Sequence, residues 1–222
     1  MILKQKIELN HIYNMDCLEG MRQMEDKSVD LVITDPPYGI KADNVVEGRI
    51  KREHNGWKDY GVSDWDISIP KKEYFDEMIR ISKNQIIFGG NYFTESLPPS
   101  QGWIVWDKGQ RDFSLADGEL AWTSFDKALR IFSYSRALSN FEDEKIHPTQ
   151  KPVKLFEWTI KNYAKEGDTI CDPFFGSGSC LVAAVRMGHP FIGFEKEQSY
   201  FDAAQIRIKN SQGQGKIGTW FE

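Results

Sequence analysis

Residues 168–197, DTICDPFFGSGSCLVAAVRMGHPFIGFEKE, combine a strand, a glycine turn, a helix and a second strand. The apolar residues that end at Asp172 predict the first strand, and the small residues of 179–188 predict a helix. The apolar run 191–195 predicts the second strand, which ends on Glu195. A strand, a helix and a strand in succession are typical of a parallel sheet with helices packed on its faces.

The turn in this stretch contains Gly176 and Gly178. Glycine lets a backbone approach a ligand closely, and the start of a helix offers unpaired N–H groups. An acid that closes the next strand, roughly 20 residues after such a turn, is placed to hydrogen-bond a ribose diol. The turn lacks the third glycine of a dinucleotide site and the lysine of a P-loop. Asp172 and Glu195 therefore suit a nucleoside without a pyrophosphate, such as S-adenosylmethionine; a purely structural turn is the alternative.

A second stretch, VDLVITDPPYG at residues 29–39, also begins as an apolar strand. Two successive prolines end a strand and restrict the residue before them, so the turn after residue 34 is stiff. In an open parallel sheet, ligands bind beyond the carboxyl ends of the strands, where the strand order reverses. If this strand and the one ending at Asp172 are neighbours, their two turns face one another.

The whole chain alternates strand and helix patterns, which predicts an α/β fold in one domain spanning residues 1–222. The predicted strands are 11–14, 30–34, 85–89, 103–106, 119–125, 130–135, 168–172 and 191–195. The predicted helices are 17–26, 71–83, 153–164, 179–188 and 197–210. The polar stretches 40–69 and 136–147 are predicted to be loops.

Composition indicates a soluble globular protein of 222 residues with 40% apolar residues and a net charge of −5. We find no apolar run long enough for a membrane helix, and the start MILKQKIELN is too polar for a secretory signal. Three cysteines without CxxC spacing predict a reducing, cytoplasmic setting, and four histidines without ligand spacing predict no metal site. The negative charge gives no general sign of nucleic-acid binding.

Three motifs carry a resemblance to a known family: DPPY at 35–38, HPTQKP at 147–152 and DPFFGSG at 172–178. In this order they resemble the β-class DNA amino-methyltransferases, which methylate adenine N6 or cytosine N4. NMDCLEGM at 14–21 and GFEKEQSYFDAAQIRI at 193–208 are also similar, so the resemblance covers nearly the whole chain. It implies a Rossmann-like S-adenosylmethionine-dependent methyltransferase fold with a mostly parallel seven-stranded sheet and one antiparallel strand. It also implies that the fold is circularly permuted, with the catalytic half before the cofactor half.

The resemblance also implies which residues bind the cofactor. Residues that would line its pocket are Asp172, Phe174, Gly176 and Gly178, with Asp35 facing the methyl group. Glu195 would hold the ribose hydroxyls, and Asp16 would face the adenine unless it only caps the following helix. Thr149 and Lys151 would close over the methionine end, where Lys151 could pair with the carboxylate; a surface lysine is the alternative.

The DPPY turn is the predicted catalytic element. The Asp35 carboxylate and the Pro36 carbonyl would accept the hydrogens of the target amine and stabilise the positive charge that develops on nitrogen. Pro37 stiffens the turn, and Tyr38 would stack on a base flipped out of the duplex. Aspartate in the first motif position favours adenine N6. The alternatives are cytosine N4, an amine on RNA, or a module that binds nucleotides without catalysis.

DNA contacts are predicted from basic residues that follow strand ends. They are Arg49, Lys51, Arg52, Lys58, Lys108 and Arg111, which would contact phosphates. A solvated loop is the alternative for residues 48–58. The chain has no room for a large target-recognition domain before residue 147, so recognition would depend on the loops 40–69 and 136–147, or on a partner subunit such as a second copy in a homodimer.

Overall fold

A computed structural model describes residues 6–40, 68–111, 116–135, 138, 146 and 149–214. Its strands are β1 (His11–Asn14), β2 (Val29–Thr34), β3 (Ser82–Phe88), β4 (Trp103–Asp107), β5 (Gly118–Thr123), β6 (Arg130–Ser133), β7 (Ile170–Asp172) and β8 (Phe191–Glu195). Its helices are α1 (Cys17–Met21), α2 (Lys72–Ile81), α3 (Val153–Tyr163), α4 (Ser179–Arg186) and α5 (Gln198–Gln214), with a 3-10 turn at Gly90–Tyr92.

The eight strands form one sheet in the order β1-β8-β7-β2-β3-β5-β4-β6. β5 pairs antiparallel with β3 and β4, and every other pairing is parallel. This confirms the mostly parallel α/β sheet, and each predicted strand segment overlaps an observed strand. The sheet has one strand more than the predicted seven, because the short β6 adds a parallel edge to β4.

The central strands are buried on both faces, as continuous apolar runs in parallel sheets usually are. On β2, Leu31 and Ile33 belong to the core on one face, and Val32 belongs to the core on the other. Side chains of α3 and α4 fill the first core, and side chains of α1 and α2 fill the second. The sheet is thus a layer between two groups of helices, which leaves its strand ends free to carry the site.

The five predicted helices are present, but α1 ends at Met21 where the sequence predicts residue 26. Arg80, at the end of α2, explains the early stop. Its guanidinium donates hydrogen bonds to the backbone oxygens of Met21 at 2.7 Å and Met24 at 2.9 Å. These carbonyls are satisfied by a side chain from another helix, so the helical ladder need not continue.

The order of the strands decides where the two motifs meet. β2 lies directly beside β7 in parallel, with Leu31 opposite Ile170 and Val32 opposite Cys171. Since parallel neighbours end at the same edge of a sheet, the DPPY turn after β2 and the glycine turn after β7 face each other, as the sequence predicts.

Two further predictions concern membrane-spanning helices and the two polar loops. In the described part of the chain, no helix is long and apolar enough to cross a membrane. Residues 41–67, which make up almost all of the predicted loop 40–69, lie outside the described residues. Most of the loop 136–147 does as well.

Candidate active site

One cavity of about 780 Å³ runs along the edge of the sheet where the parallel strands end. Its volume is within the range of about 300–1,000 Å³ that is usual for small-molecule sites. One end, after β1, β7 and β8, is bounded by Asp16, Phe174 and Glu195, and the other, after β2, by Asp35 and its neighbour Lys151. Pro36, Pro37, Thr149, Asp172 and Gly176 also line it. The cavity therefore joins the two ends of the site that the sequence predicts.

Glu195 lies at the glycine-turn end, where it is held by two backbone donors. Its Oε2 accepts a hydrogen bond from the Gly176 N–H at 3.0 Å, and its Oε1 accepts one from the Glu197 N–H at 2.7 Å. Burial raises the pKa of Glu195, and these N–H groups oppose the rise. Gly176 and Gly178 both have positive φ, of 49° and 75°, which a glycine adopts without strain. The turn therefore fixes the carboxylate at the cavity wall.

Asp16 caps α1 and also reaches the cavity. Its Oδ1 accepts from the Leu18 N–H at 2.8 Å, and its Oδ2 accepts from the Tyr74 hydroxyl at 3.1 Å. The capping alternative is thus present together with a place in the cavity lining. Burial and the neighbouring Asp16 raise the pKa of Tyr74 to about 12, so this phenol stays a hydrogen-bond donor at neutral pH.

Asp172 joins the two motif strands. Its Oδ1 accepts from the Thr34 hydroxyl at 2.7 Å and from the Phe174 N–H at 3.2 Å, so the ends of β7 and β2 are linked through side chains. Burial raises the pKa of Asp172 to about 7, with further contributions from the charges of Asp35 and Glu195. The carboxyl therefore changes its protonation state near neutral pH.

We expect Asp172→Asn to stabilise the free protein at pH 8. Folded Asp172 keeps its proton up to about pH 7, whereas an unfolded aspartate loses it near pH 4. The folded state therefore binds more protons in this window, and its free energy of unfolding falls as pH rises. Asparagine avoids the buried charge and keeps an oxygen for Thr34 and Phe174. Urea unfolding should show a gain on the order of 3 kcal/mol at pH 8, shrinking toward pH 5.

Asp30→Asn is the matched control for this prediction. Asp30 lies at the other end of β2, paired with Lys83 at 2.6 Å and accepting from the Thr169 N–H at 2.9 Å. Burial raises the pKa of Asp30, but these two partners outweigh burial and leave that pKa below its usual value. Removing the Asp30 charge should therefore destabilise the folded protein at pH 8. Equal effects of Asp172→Asn at pH 5 and pH 8 would contradict the role of the Asp172 charge.

Asp35 lies at the opposite end of the cavity, in a buried network of charges. Its carboxylate accepts a hydrogen bond from the Tyr38 hydroxyl and contacts the Lys151 ammonium. Lys151 also donates to the Tyr38 oxygen at 2.9 Å and lies 3.0 Å from a carboxylate oxygen of Glu119. Glu119 in turn pairs with Lys108 at 2.5 Å. Two acids and two lysines therefore alternate beside the DPPY turn.

Two lysines have other partners than the sequence predicts. Lys151 is buried and faces Asp35 and Glu119, because two strand-end acids lie within reach of its ammonium. These acids are its partners in the free protein, and a contact of Lys151 with the cofactor carboxylate stays a prediction. Lys108 is also buried and paired with Glu119, with its ammonium 5.0 Å from the centre of the Trp106 ring. This position does not suit a phosphate contact.

The other predicted phosphate contacts are at the surface or outside the described residues. Arg111 is exposed and pairs with Asp107 at 2.9 Å. The remaining basic residues lie in a part of the chain that is not described; they are Arg49, Lys51, Arg52 and Lys58.

The Tyr38 ring packs closely against the backbone after β3. A Cβ placed on Gly89 would lie 2.1 Å from a ring carbon of Tyr38, so only glycine fits there. Tyr92 stacks on the same ring, with centroids 4.9 Å apart and planes inclined by 15°, while itself remaining 43% exposed. The predicted base-stacking residue is thus one half of an aromatic pair.

Comparisons with known proteins agree with this geometry. A family model described as DNA methylase, N6_N4_Mtase, matches residues 103–206. Type II methyltransferase M.HinfI of Haemophilus influenzae is 28% identical over 263 residues, which cover 94% of this chain and 71% of that protein. Type II methyltransferase M.HpaI of Haemophilus parainfluenzae is 26% identical, covering 87% of this chain and 72% of that protein. These matches support a DNA amino-methyltransferase of the β class.

Solved structures show the same fold. The M1.HpyAVI-SAM complex aligns with 89% of this chain and 98% of its own, with a TM-score of 0.56 and 23% identity. The cytosine-N4-specific PvuII DNA methyltransferase aligns with 97% of this chain and 95% of its own, with a TM-score of 0.59 and 16% identity.

Glu119 and Tyr74 line the cavity but are not predicted from the sequence. A signal for Glu119 exists, since it is an acid near the start of a strand that reads as apolar. β5 runs antiparallel to its neighbours, so its first residues lie at the edge where the other strands end. If the direction of β5 were known, the sequence would therefore place Glu119 in the site. Tyr74 reaches the cavity from α2, and the local sequence gives no sign of this.

The three cysteines of the chain lie in its interior. Cys17, Cys171 and Cys180 are free and buried, and burial raises the pKa of each thiol well above its usual value. They therefore stay protonated and pack as small apolar groups. Within the described ranges, no cluster of three or more His, Cys, Asp or Glu side chains is arranged to hold a metal ion.

Proposed function

We propose that the protein transfers a methyl group from S-adenosylmethionine to the N6 amine of adenine in DNA. The observation that carries the proposal is the position of Asp35. Its carboxylate lies at one end of a single cavity whose other end carries Glu195 and Asp16. A donor bound along this cavity and an amine held at Asp35 would meet at the carboxyl ends of β2 and β7.

The residues at the glycine-turn end fit S-adenosylmethionine. Glu195 and Asp16 offer carboxylate oxygens for a ribose diol and an adenine amine, and Phe174 and Tyr74 offer ring surfaces. Buried Asp172 places a carboxyl between the two ends, where a cationic ligand would favour its ionised form. When bound, S-adenosylmethionine supplies an electrophilic methyl group on a sulfonium. The structure of M1.HpyAVI in complex with SAM supports this cofactor.

Asp35 would orient the amine and stabilise its charge. An exocyclic amine is a weak nucleophile because its lone pair is delocalised into the base. Hydrogen bonds from the amine to the Asp35 carboxylate and the Pro36 carbonyl would direct that lone pair, and the carboxylate would stabilise the cationic nitrogen. Burial raises the pKa of Asp35, while Lys151 opposes the rise. A carboxylate with a raised pKa is suited to take the proton that the methylated nitrogen releases.

Base flipping is required because the amine is not accessible in a paired duplex. The aromatic pair of Tyr38 and Tyr92 would give the flipped base a surface for stacking, worth about 1–3 kcal/mol by comparison with other base–aromatic contacts. Exposed Arg111, with the basic residues of 48–58, would contact phosphates. A homodimer stays a prediction, which sedimentation of the purified protein would check.

Adenine is proposed because the first position of the motif is Asp35. The N6_N4 family name covers both amines, so cytosine N4 is the competing target. Methylation of mixed-sequence duplex DNA with labelled S-adenosylmethionine, followed by nucleoside analysis, tests both. Label in N6-methyladenine supports the proposal, and label in N4-methylcytosine overturns the choice of base. Cofactor binding without label in DNA, after trial of duplex and single strands, would favour a binding module.

A further inference from the structure

Glu119 connects the two lysines beside the DPPY turn. One of its carboxylate oxygens lies 2.5 Å from the Lys108 ammonium, and the other lies 3.0 Å from the Lys151 ammonium. The two lysine side chains are only 9% and 4% exposed, so water screens this network weakly. Lys151 therefore lies between two carboxylates, those of Glu119 and Asp35.

We infer that Glu119 is a positioning residue, which acts through Lys151 to set the charge and the orientation of the Asp35 carboxylate. This inference deepens the proposed function and rests on it for its catalytic meaning. Glu119 would not need to touch the base or the cofactor.

The hydrogen bonds of Lys151 support a division of roles. The ammonium donates to a carboxylate oxygen of Asp35 and to the Tyr38 oxygen, while the Tyr38 hydroxyl donates to the other oxygen of Asp35. The nearby Glu119 Oε2 is buried and, among the described residues, has no partner with hydrogen-bond geometry, although it is 3.0 Å from the ammonium. Lys151 thus orients Asp35 by hydrogen bonding, and Glu119 acts on Lys151 by its charge.

The charge of Glu119 offsets two unfavourable effects of the Lys151 ammonium on methyl transfer. Methyl transfer makes the amine nitrogen positive, and a buried ammonium beside it would oppose that charge. An ammonium with Asp35 as its sole partner would also hold that carboxylate tightly and compete with the amine for it. A second carboxylate on the far side of Lys151 weakens both effects, because it shares the ammonium.

The ionisation states fit this role. Burial raises the pKa of Glu119, but Lys151 and Lys108 outweigh it and hold that pKa at about 2, so Glu119 is charged throughout the neutral range. Among the described residues, the titratable groups that act on Asp35 are Lys151, Glu119 and Tyr38, with Asp172 at longer range. The Lys151 charge lowers the pKa of Asp35, and the Glu119 charge raises it.

Opposite shifts in the titration of Asp35 therefore test the inference. In protein labelled with ¹³C-aspartate, with Asp35 assigned by its absence in Asp35→Asn, the carboxyl signal is followed against pH without cofactor or DNA. We expect Glu119→Gln to move the Asp35 midpoint down by about one pH unit and Lys151→Met to move it up by a similar amount. Glu119→Asp keeps the charge and should restore most of the original midpoint.

Glu157→Gln is the matched control. Glu157 also lies between two cations, Lys154 at 3.2 Å and Arg186 at 3.4 Å, but lies outside the cavity lining. This change should leave the Asp35 midpoint where it is. If Lys151→Met fails to fold, the Asp35 midpoints of Glu119→Gln and Glu119→Asp still test the inference, because both variants keep Lys151.

The same variants are then tested in single-turnover methyl transfer across pH. The acid limb of the rate profile should move down in Glu119→Gln, with a roughly tenfold lower plateau, and Glu119→Asp should recover both. An Asp35 midpoint unchanged by Glu119→Gln overturns the inference even if the wild type methylates DNA. A wild type without transfer overturns the proposed function, and the NMR titration still decides whether Glu119 controls Asp35.

Discussion

Asp35→Asn should lower the single-turnover rate of methyl transfer by about 10²–10³-fold, the usual loss when one group that stabilises a charged transition state is removed. Asparagine can still accept one hydrogen bond from the amine but carries no charge to stabilise the cationic nitrogen. It also cannot take the proton that the amine loses. Lys151 keeps Glu119 as a partner at 3.0 Å, so the substitution does not leave the buried ammonium alone.

Binding and stability measurements separate this loss from damage to the fold. Calorimetry should give nearly the same dissociation constant for S-adenosylmethionine in Asp35→Asn and in the wild type, because Glu195 and Asp16 lie at the other end of the cavity. Asp30→Asn provides the control, since it makes the same change at the opposite end of β2. Its transfer rate should match that of the wild type. Transfer by Asp35→Asn at more than a tenth of the wild-type rate would refute the role of the Asp35 charge.

The fold could be predicted because its signals are local. The apolar run before Asp172, the glycine turn and the helix after it are contiguous in sequence, and each has its own period or turn chemistry. The neighbouring position of β2 and β7 follows from the resemblance and from the general rule for parallel sheets. The sequence pattern also predicts the edge strand β6, whereas the expected number of seven strands is implied by the family resemblance.

The charge network could not be predicted in the same way, because its members are far apart in sequence. Asp35 and Lys151 are 116 residues apart, and a long lysine side chain contacts whichever acid the fold brings nearest. The HPTQKP motif indicates that Lys151 is close to the site but does not select its partner. To predict that Glu119 lies in the site, one would need to know the direction of β5. Local periodicity does not show that a single strand of a parallel sheet runs antiparallel.

Asp172 shows how the two halves of the permuted chain are coupled. Thr34 ends β2 and Asp172 ends β7, and the Thr34 hydroxyl donates directly to the Asp172 carboxyl. The Phe174 N–H lies 3.2 Å from both the Thr34 and the Asp172 oxygen, so one cluster fixes the glycine turn relative to the DPPY turn. The permutation changes the order of the halves along the chain, whereas this contact fixes their relation in space.

Glu195→Gln should raise the dissociation constant of S-adenosylmethionine by about 10- to 100-fold, since a hydrogen bond to a charged group contributes roughly 1.5–3 kcal/mol. Both carboxylate oxygens already accept from the backbone, at Gly176 and Glu197, and each has a second lone pair for a ribose hydroxyl. Glutamine presents an amide N–H₂ to one of these partners. It also carries no charge.

A cofactor analogue distinguishes the ribose contact from a disturbed turn. Wild-type protein should bind the 2′,3′-dideoxy analogue of S-adenosylmethionine more weakly than the cofactor itself, whereas Glu195→Gln should bind the two with similar affinity. Glu157→Gln should behave as the wild type does. Because burial raises the pKa of Glu195, wild-type affinity should fall on acidification at a higher pH than an ordinary glutamate would cause, and the variant should lack this dependence. An equal loss of affinity for both ligands would mean that Glu195 supports the glycine turn without contacting the ribose.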